Sequence, residues 1–270
     1  MQRQDKGILV VSFGTTHEET RRKAIEPIEE ALGNAFPERR LYRGWTSRMI
    51  TGRLRQRGVT IDTLEEALER MQEDGVTDIL VQPTHIMEGA ENDRMLTALQ
   101  EASGAFEQVR CGLPLLASGE DLLALADILA EEFLKEAPGA ALVLMGHGSA
   151  KKQSANHIYG EMQEAFRQLG HENVFVGTVE GTPSFDDVRQ QLAGMRPAPD
   201  PVILAPMMIV AGDHAKNDMA GDSGDSWKSL LEAGGFRVRA EVRGLGEYPR
   251  VREMLVRHAE KAAFPNGAKS

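Results

Sequence analysis

Three polar side chains in the second half of the chain follow directly on segments with the pattern of buried strands. His147 follows ALVLMG, Glu180 follows NVFVGTV, and His214 lies in the loop AGDHAKND after PVILAP. Open parallel α/β sheets bind ligands beyond the carboxyl ends of their strands, where neighbouring loops meet. If these three strands are neighbours, the side chains meet around one point. Two imidazoles and one carboxylate suit divalent Co, Fe, Ni or Zn, so the pattern predicts a metal site.

Spacing alone leaves a second interpretation of these residues open. A single histidine after a strand more often forms a capping or loop hydrogen bond than binds a metal, and the glycines beside His147 also fit a tight strand-to-helix turn. The sequence has no GxxxxGK[ST] motif, no GxGxxG after a strand and no GxSxG. Nucleotide binding and serine hydrolase chemistry are therefore disfavoured. We expect no nucleotide or redox cofactor.

The first half of the chain carries a dense group of arginines. Seven lie on a predicted strand and the segment beyond it: Arg39, Arg40, Arg43, Arg48, Arg53, Arg55 and Arg57. The planar guanidinium group binds carboxylates through two parallel hydrogen bonds, so this stretch suits a ligand with several carboxylates. The alternative is a solvated helix face paired with nearby acids. Arg48, just after the strand, is the preferred candidate for ligand binding.

Composition limits the partners of the chain. A formal charge of -10 over 270 residues disfavours nucleic acid and anionic membranes as partners, because both attract a net basic surface. The lone Cys111 cannot form an internal disulfide and fits a reducing compartment. The apolar run near the N-terminus is too short for a signal peptide or a membrane span. We expect a cytoplasmic protein, and the sequence leaves homo-oligomerisation open.

Short β-type segments alternate with amphipathic segments, which predicts right-handed βαβ units and parallel sheets covered on both faces. The predicted strands are residues 8–13, 40–45, 78–83, 108–113, 141–146, 173–178, 201–206 and 236–242. Helices are predicted at about residues 18–32, 63–71, 91–102, 120–134, 154–169, 184–195 and 249–262. In the helix at 63–71, Asp62 is the expected N-cap and Glu65 completes a capping box. The fold class is therefore α/β.

The two halves of the chain resemble each other. One constant shift aligns ILVVSFGT (8–15) with LVLMGHGS (142–149) and RLYRGWTS (40–47) with VFVGTVEG (174–181). This alignment puts Phe13 on His147 and Thr46 on Glu180. A second shift aligns ILVQPTHIMEG (79–89) with VILAPMMIVAG (202–212). The preserved order predicts two similar four-stranded α/β domains, residues 1–137 and 138–270, of which only the second carries the candidate ligands.

Several segments together resemble the anaerobic, class II cobaltochelatases that act on sirohydrochlorin. They are LVVSFGTT, GWTSRMI (44–50), THIMEGAE (84–91), GLPLLAS, MGHGS, VGTVEG, GLGEYP and, above all, PMMIVAGDHAKNDMAGDSGDSWK (206–228). The resemblance runs from about Gly7 to His258. It implies a two-domain α/β chelatase that holds its tetrapyrrole in the cleft between the halves.

The resemblance also implies roles for particular residues. His147 of MGHG and His214 of AGDHA match the two family histidines, Glu180 of VEG matches the metal-binding carboxylate, and Glu91 of HIxxGxE matches an acidic residue that faces the cleft. The implied catalytic residues are the two histidines, which would hold the metal and accept protons. The expected substrate-binding residues are His85, Glu91, Arg48, Ser12 and Thr15.

The implied activity is insertion of Co(II) into sirohydrochlorin in the anaerobic cobalamin pathway, with the divalent metal as a substrate. Insertion of Fe(II) for sirohaem is an alternative, because affinity alone does not select cobalt. A protein that stores or delivers a metal or a tetrapyrrole without catalysis is a second alternative. The arginine-rich stretch and the polar loop GDSGDSW favour a bound anionic macrocycle as well as an ion.

Overall fold

The computed structural model of the chain describes residues 5–150 and 153–263. Eight strands and ten α-helices lie in this part of the chain. In order they are β1 (Lys6–Ser12), α1 (Glu18–Thr20), α2 (Glu26–Ala35), β2 (Arg40–Trp45), α3 (Arg48–Gln56), α4 (Leu64–Glu73), β3 (Asp78–Pro83), α5 (Ala90–Ala102), β4 (Gln108–Cys111), α6 (Gly119–Phe133), β5 (Ala141–Gly148), α7 (His157–Gln168), β6 (Val174–Glu180), α8 (Phe185–Gly194), β7 (Val202–Pro206), α9 (Trp227–Ala233), β8 (Val238–Ala240) and α10 (Pro249–Glu260).

The strands form two separate sheets with the same topology. One has the strand order β2-β1-β3-β4 and the other β6-β5-β7-β8, and every pair of neighbours is parallel. Because helices cover both faces, the central strands are continuous apolar runs, and Ile8, Leu9, Val10 and Val11 are completely buried. The predicted fold class, with two four-stranded parallel sheets flanked by helices, is confirmed.

The repeat alignment is right for two strands and wrong by one residue for a third. Val11 pairs with Gly44 and Pro83, whereas its counterpart Met145 pairs with Gly177 and Pro206. The aligned partner of Gly44 would have been Thr178. Glu180 therefore corresponds to Ser47 in the ladder and not to Thr46. The cores agree with this register, since Tyr42 and Phe175 occupy matching positions in the two apolar clusters.

The units do not divide the chain at the predicted position after residue 137. The first comprises the chain up to Ala117 and again from Gly246, and the second runs from Ser118 to Leu245. In the second unit α6 packs on α7, and in the first α10 packs on α2. An amphipathic pattern shows which face of a helix is buried but not which sheet it covers. The predicted boundary therefore assigned α6 to the first half and α10 to the second, whereas each belongs to the other unit.

The N-terminus of α4 differs from its predicted form by one residue. Thr63 is the N-cap, and its hydroxyl accepts a hydrogen bond from the Glu66 amide while the Glu66 carboxylate accepts one from the Thr63 amide. Asp62 does not serve as the cap, because its carbonyl oxygen accepts a hydrogen bond from the Trp45 amide. This bond extends the edge of the sheet beyond β2. Helices α3 and α9 were not predicted.

Two short segments are π-helical, Arg21–Ile25 and His214–Met219. Such turns are rare and frequently lie at functional sites. In the described part of the chain, none of the helices combines the length and the apolar character needed to cross a lipid bilayer.

Candidate metal centre

His147 lies at the carboxyl end of β5, on a turn that is closely packed against β6. Gly148 pairs with Glu180 across the two strands. It has a φ of +74°, and a Cβ atom there would lie 2.2 Å from the Glu180 carbonyl oxygen. Only glycine combines this backbone conformation with so close an approach. The sequence MGHGS therefore brings the residue after His147 directly against the backbone of Glu180.

His214 begins the π-helical turn that follows β7. The i to i+5 hydrogen bonding of this turn includes the Ala220 amide, which donates to the Ala215 carbonyl at 3.2 Å. The Nδ1 atom of His214 lies 2.5 Å from Oδ2 of Asp218, four residues further on. The carboxylate accepts a hydrogen bond from Nδ1 and so fixes the orientation of the ring.

The structure brings His147 and His214 together. Their ring centroids are 4.7 Å apart and the ring planes are at 88°. Nδ1 of His147 lies 3.0 Å from the carbonyl oxygen of Gly148, which can only accept. Each Nδ1 atom therefore carries its proton toward an oxygen acceptor, which assigns the lone pair to Nε2 in both neutral rings. Neutral imidazoles with a free lone pair are ligands that divalent Co, Fe or Zn prefers.

Glu180 is exposed at the end of β6, next to the turn that carries His147. Within residues 5–150 and 153–263, no three His, Cys, Asp or Glu side chains already form a cluster that could hold a metal ion. The third ligand thus stays a prediction, while the two histidines are neighbours. Sequence reasoning missed Asp218. Its signal was the spacing HAKND, which places an acid one helical turn after the histidine.

Ser12 and Thr15 lie at the carboxyl end of β1 in the first unit, and both are buried. Ser12 Oγ accepts a hydrogen bond from the Thr84 hydroxyl at 3.0 Å, and the Thr15 hydroxyl accepts one from the His17 amide at 3.2 Å. The Ser12–Thr84 bond therefore joins the end of β1 to the loop that follows β3, and the Thr15 bond lies within the loop that follows β1. Their predicted contact with substrate stays a prediction.

His85 and Glu91 belong to a buried polar group with unsatisfied atoms. Among the described residues, neither ring nitrogen of His85, nor Glu91 Oε2, nor Asn92 Oδ1 forms a hydrogen bond of normal geometry. Burial lowers the pKa of His85, whereas the nearby charge of Glu91 and the Asn92 side chain act in the opposite direction. Buried polar atoms without partners are costly, so this group is suited to receive a ligand.

The arginine-rich stretch is mostly paired with acids. Arg48 extends from α3 to Glu65, with Nη2 at 2.9 Å from Oε1, and its side chain is 67% exposed. Other ion pairs join Arg39 to Asp78, Arg40 to Asp74, Arg43 to Glu29 and Arg55 to Glu66. Within the described part of the chain, Arg53 and Arg57 are exposed and have no acidic partner. Five of the seven arginines are therefore paired with acids, but only Arg48 and Arg55 lie on a helix, since the other three belong to β2 or directly precede it.

The fold and these two histidines define the class: a duplicated α/β protein with candidate metal ligands at the carboxyl edge of its second sheet. The family model described as cobalt chelatase (CbiK) matches residues 6–264, and the chain belongs to this family. It is 37% identical over 259 residues to the sirohydrochlorin cobaltochelatase of Salmonella typhimurium, covering 95% of this chain and 96% of that protein. The family resemblance predicted from the motifs is confirmed.

A second relative is the sirohydrochlorin cobaltochelatase CbiKC of Nitratidesulfovibrio vulgaris, 31% identical over 248 residues, which cover 90% of this chain and 85% of that protein. The solved structure of SirB from Bacillus subtilis with Fe3+ covers 95% of this chain and 94% of its own, with a TM-score of 0.67 at 14% identity. CbiX, the terminal enzyme of siroheme biosynthesis in denitrifying bacteria, covers 95% and 99%, with a TM-score of 0.54 at 18% identity. At these identities the two structures show a shared fold.

Proposed function

We propose that this protein is a sirohydrochlorin cobaltochelatase, which inserts Co(II) into its macrocycle as a step of anaerobic cobalamin synthesis. The observation that carries the proposal is the edge-to-face pair of His147 and His214, in which both Nδ1 atoms are held by oxygen acceptors. Family membership and the names of the two relatives support it. The divalent ion is a substrate of this reaction.

The chemistry follows from the two Nε2 atoms. A divalent ion that enters the macrocycle displaces two pyrrole protons, so the metallated product has the same net charge as the free ligand. The two imidazoles first hold the ion, and once it moves to the ring nitrogens their lone pairs are free to accept protons. Glu180, at the end of the neighbouring strand, supplies negative charge that balances the ion while it is bound.

The substrate carries peripheral carboxylates, which need cations on an acidic protein. Arg53 and Arg57 of the α3 segment meet this need, because no acid of the described chain competes for them. Arg48 stays a candidate, but a substrate carboxylate must compete with Glu65 for its guanidinium group. His85 and Glu91 are proposed to contact the macrocycle, because their unsatisfied buried atoms gain partners when it binds. The reducing compartment suggested by the free Cys111 fits a cytoplasmic enzyme.

The decisive experiment mixes purified protein with sirohydrochlorin and Co(II) and follows the visible spectrum against the uncatalysed rate. A rate well above the background, lost in His147→Ala, is expected. A parallel series with Fe(II) measures metal preference. If the rates with and without protein were equal while the protein still bound the macrocycle or the ion, the catalytic proposal would be wrong and a binding role would replace it.

A further inference from the structure

The turn that follows His147 is held by side chains from the segment that leads into α7. Asn156 is 4% exposed, and its amide binds the backbone of Ser149 at both polar groups. Oδ1 accepts from the Ser149 amide at 2.9 Å, and Nδ2 donates to the Ser149 carbonyl at 3.1 Å. These two hydrogen bonds hold the peptide groups on both sides of the Ser149 Cα atom and so fix the backbone of this residue. Ser149 lies two residues beyond His147.

The side-chain amide of Asn156 also packs against the loop that follows Glu180. A Cβ atom on Gly181 would lie 2.4 Å from Nδ2 of Asn156, so Gly181 packs directly on this side chain. Gly181 also has a φ of +130°, which favours glycine. One buried amide therefore contacts both turns, the one after His147 and the one after Glu180.

Tyr159 completes this support from α7. Its hydroxyl accepts a hydrogen bond from the Gly148 amide at 3.0 Å, and its ring fills the space that a side chain at Gly146 would need. The ring is almost fully buried and thus has little freedom to move. Gly148 and Ser149 are consequently both fixed by side chains that do not themselves belong to the candidate metal ligands.

We infer that Asn156 is a positioning residue that sets the spacing between His147 and Glu180 and thereby the affinity of the centre for its ion. This inference rests on the proposed function, since it assumes that both residues bind the metal. A purely structural role would predict a loss of stability alone. A positioning role predicts that metal binding changes more than stability does.

Gln163, on α7 itself, provides a matched control. It is also a buried amide, and its Oε1 atom accepts from the Val176 amide at 3.1 Å in the middle of β6. It contacts neither turn through the hydrogen bonds that it forms. Asn156→Ala and Gln163→Ala each remove one buried amide from α7 or its approach, so they are expected to lower stability by similar amounts.

The test is titration of each variant with Co(II) alone, read by calorimetry and by the visible absorption of the bound ion. Asn156→Ala should weaken Co(II) binding by about tenfold, the lower end of the loss seen when groups that orient metal ligands are removed. Its bound-ion spectrum should also change, whereas Gln163→Ala should keep the wild-type affinity and spectrum. Co(II) affinity and spectrum equal to wild type in Asn156→Ala would overturn the inference.

A near-isosteric variant covers the case in which Asn156→Ala does not fold. Asn156→Asp keeps an acceptor for the Ser149 amide but loses the donor to the Ser149 carbonyl. Co(II) affinity and spectrum equal to wild type in this variant would also overturn the inference. The readout needs no tetrapyrrole, so it separates this inference from the proposed activity. Wild-type protein that binds Co(II) without inserting it would refute the activity and leave the positioning role standing.

Discussion

The rings of His147 and His214 meet edge to face, at 88° and with centroids 4.7 Å apart, although 66 residues of other structure separate them along the chain. The contact arises because β5 and β7 are neighbours in the second sheet, so the turns beyond their carboxyl ends lie side by side. Neither side chain contributes to the apolar core. Function and stability can therefore be separated at these positions.

Replacement of either histidine by alanine should abolish most insertion activity while the fold stays nearly intact. The loss is expected to be about a hundredfold or more, because both metal holding and proton acceptance depend on these rings. His157→Ala is the control, since that side chain is 64% exposed on α7. Initial rates of metallation and the thermal midpoint of each variant provide the measurement. Unchanged rates in His147→Ala and His214→Ala would refute the metal centre.

Asp218→Asn should weaken Co(II) binding with little change in stability. The carboxylate lies 2.5 Å from Nδ1 of His214 and holds the ring, and an amide can turn its donor toward the ring instead. Loss of a partner of this kind typically costs about 10- to 100-fold in metal affinity. Asp222→Asn is the control, because Asp222 is an exposed neighbour that pairs with Lys228. Calorimetric titration with Co(II) compares them, and equal affinities would argue against a role of Asp218.

Gly148→Ala should be more destabilising than Gly58→Ala, although both glycines have a positive φ, +74° and +77°. The strained backbone alone costs about 1–2 kcal/mol with any side chain. At Gly58 nothing lies within 4 Å of the added atom, whereas at Gly148 the Glu180 carbonyl oxygen is only 2.2 Å away. The free energy of unfolding measured with urea should therefore be lower for Gly148→Ala than for Gly58→Ala. Only Gly148→Ala should lose activity. Equal free energies of unfolding would contradict the close approach of β5 and β6.

Much of this fold was predictable because continuous apolar runs identify buried parallel strands, and all eight predicted runs became strands. The correspondence between the residues of β2 and β6 was not predictable, since one constant shift along the sequence cannot detect a displacement of one residue. The sequence also did not show which unit α6 and α10 belong to, because an amphipathic helix can cover either sheet. At the candidate site, position after a strand was enough to predict that His147 and His214 lie together, and their role as metal ligands stays a prediction. Asn156 was missed because it lies inside the helix predicted at residues 154–169, which in the structure begins only at His157.

The stability of the protein should fall as pH drops below about 6.5 in a manner that depends on His85. Burial lowers its folded pKa below the ordinary value of 6.5, so the unfolded chain takes up a proton in this range and the folded chain does not. The stabilising contribution is complete above the unfolded pKa and is lost as pH falls toward the folded one. His85→Gln cannot titrate, so its free energy of unfolding should depend less on pH between 7.5 and 5.5, a window of about two units around the reference value.

The control for this experiment is Glu91→Gln. The charge of Glu91 raises the pKa of His85, so its removal should lower that pKa further and steepen the loss of stability in acid. Urea denaturation at several pH values measures both variants. An identical pH dependence in wild type and His85→Gln would show that the histidine is already solvated and contradict its burial.

Among the arginines, Arg53→Met should weaken sirohydrochlorin binding more than Arg48→Met does. Both side chains are exposed on α3, but Arg48 already has Glu65 at 2.9 Å, so its net attraction for a new carboxylate is smaller. A charged hydrogen bond of this kind contributes about 1.5–3 kcal/mol, or roughly tenfold to a hundredfold in affinity. The effect should fall on the Michaelis constant more than on turnover, because a peripheral grip acts alike on ground state and transition state.

Arg70→Met on α4 is the control for the loss of an exposed cation, since Arg70 pairs with Asp62 and is not expected to meet substrate. Added salt should weaken macrocycle binding by wild type and by Arg48→Met, and it should act less on Arg53→Met, because screening has no further effect on a contact already removed. Steady-state kinetics at two ionic strengths measures all three variants. If Arg48→Met raised the Michaelis constant as much as Arg53→Met did, Glu65 would have to release Arg48 to the substrate, and Glu65→Gln should then tighten binding. If neither variant changed it, carboxylate recognition by α3 would be wrong, and the metal centre on the second sheet would be unaffected.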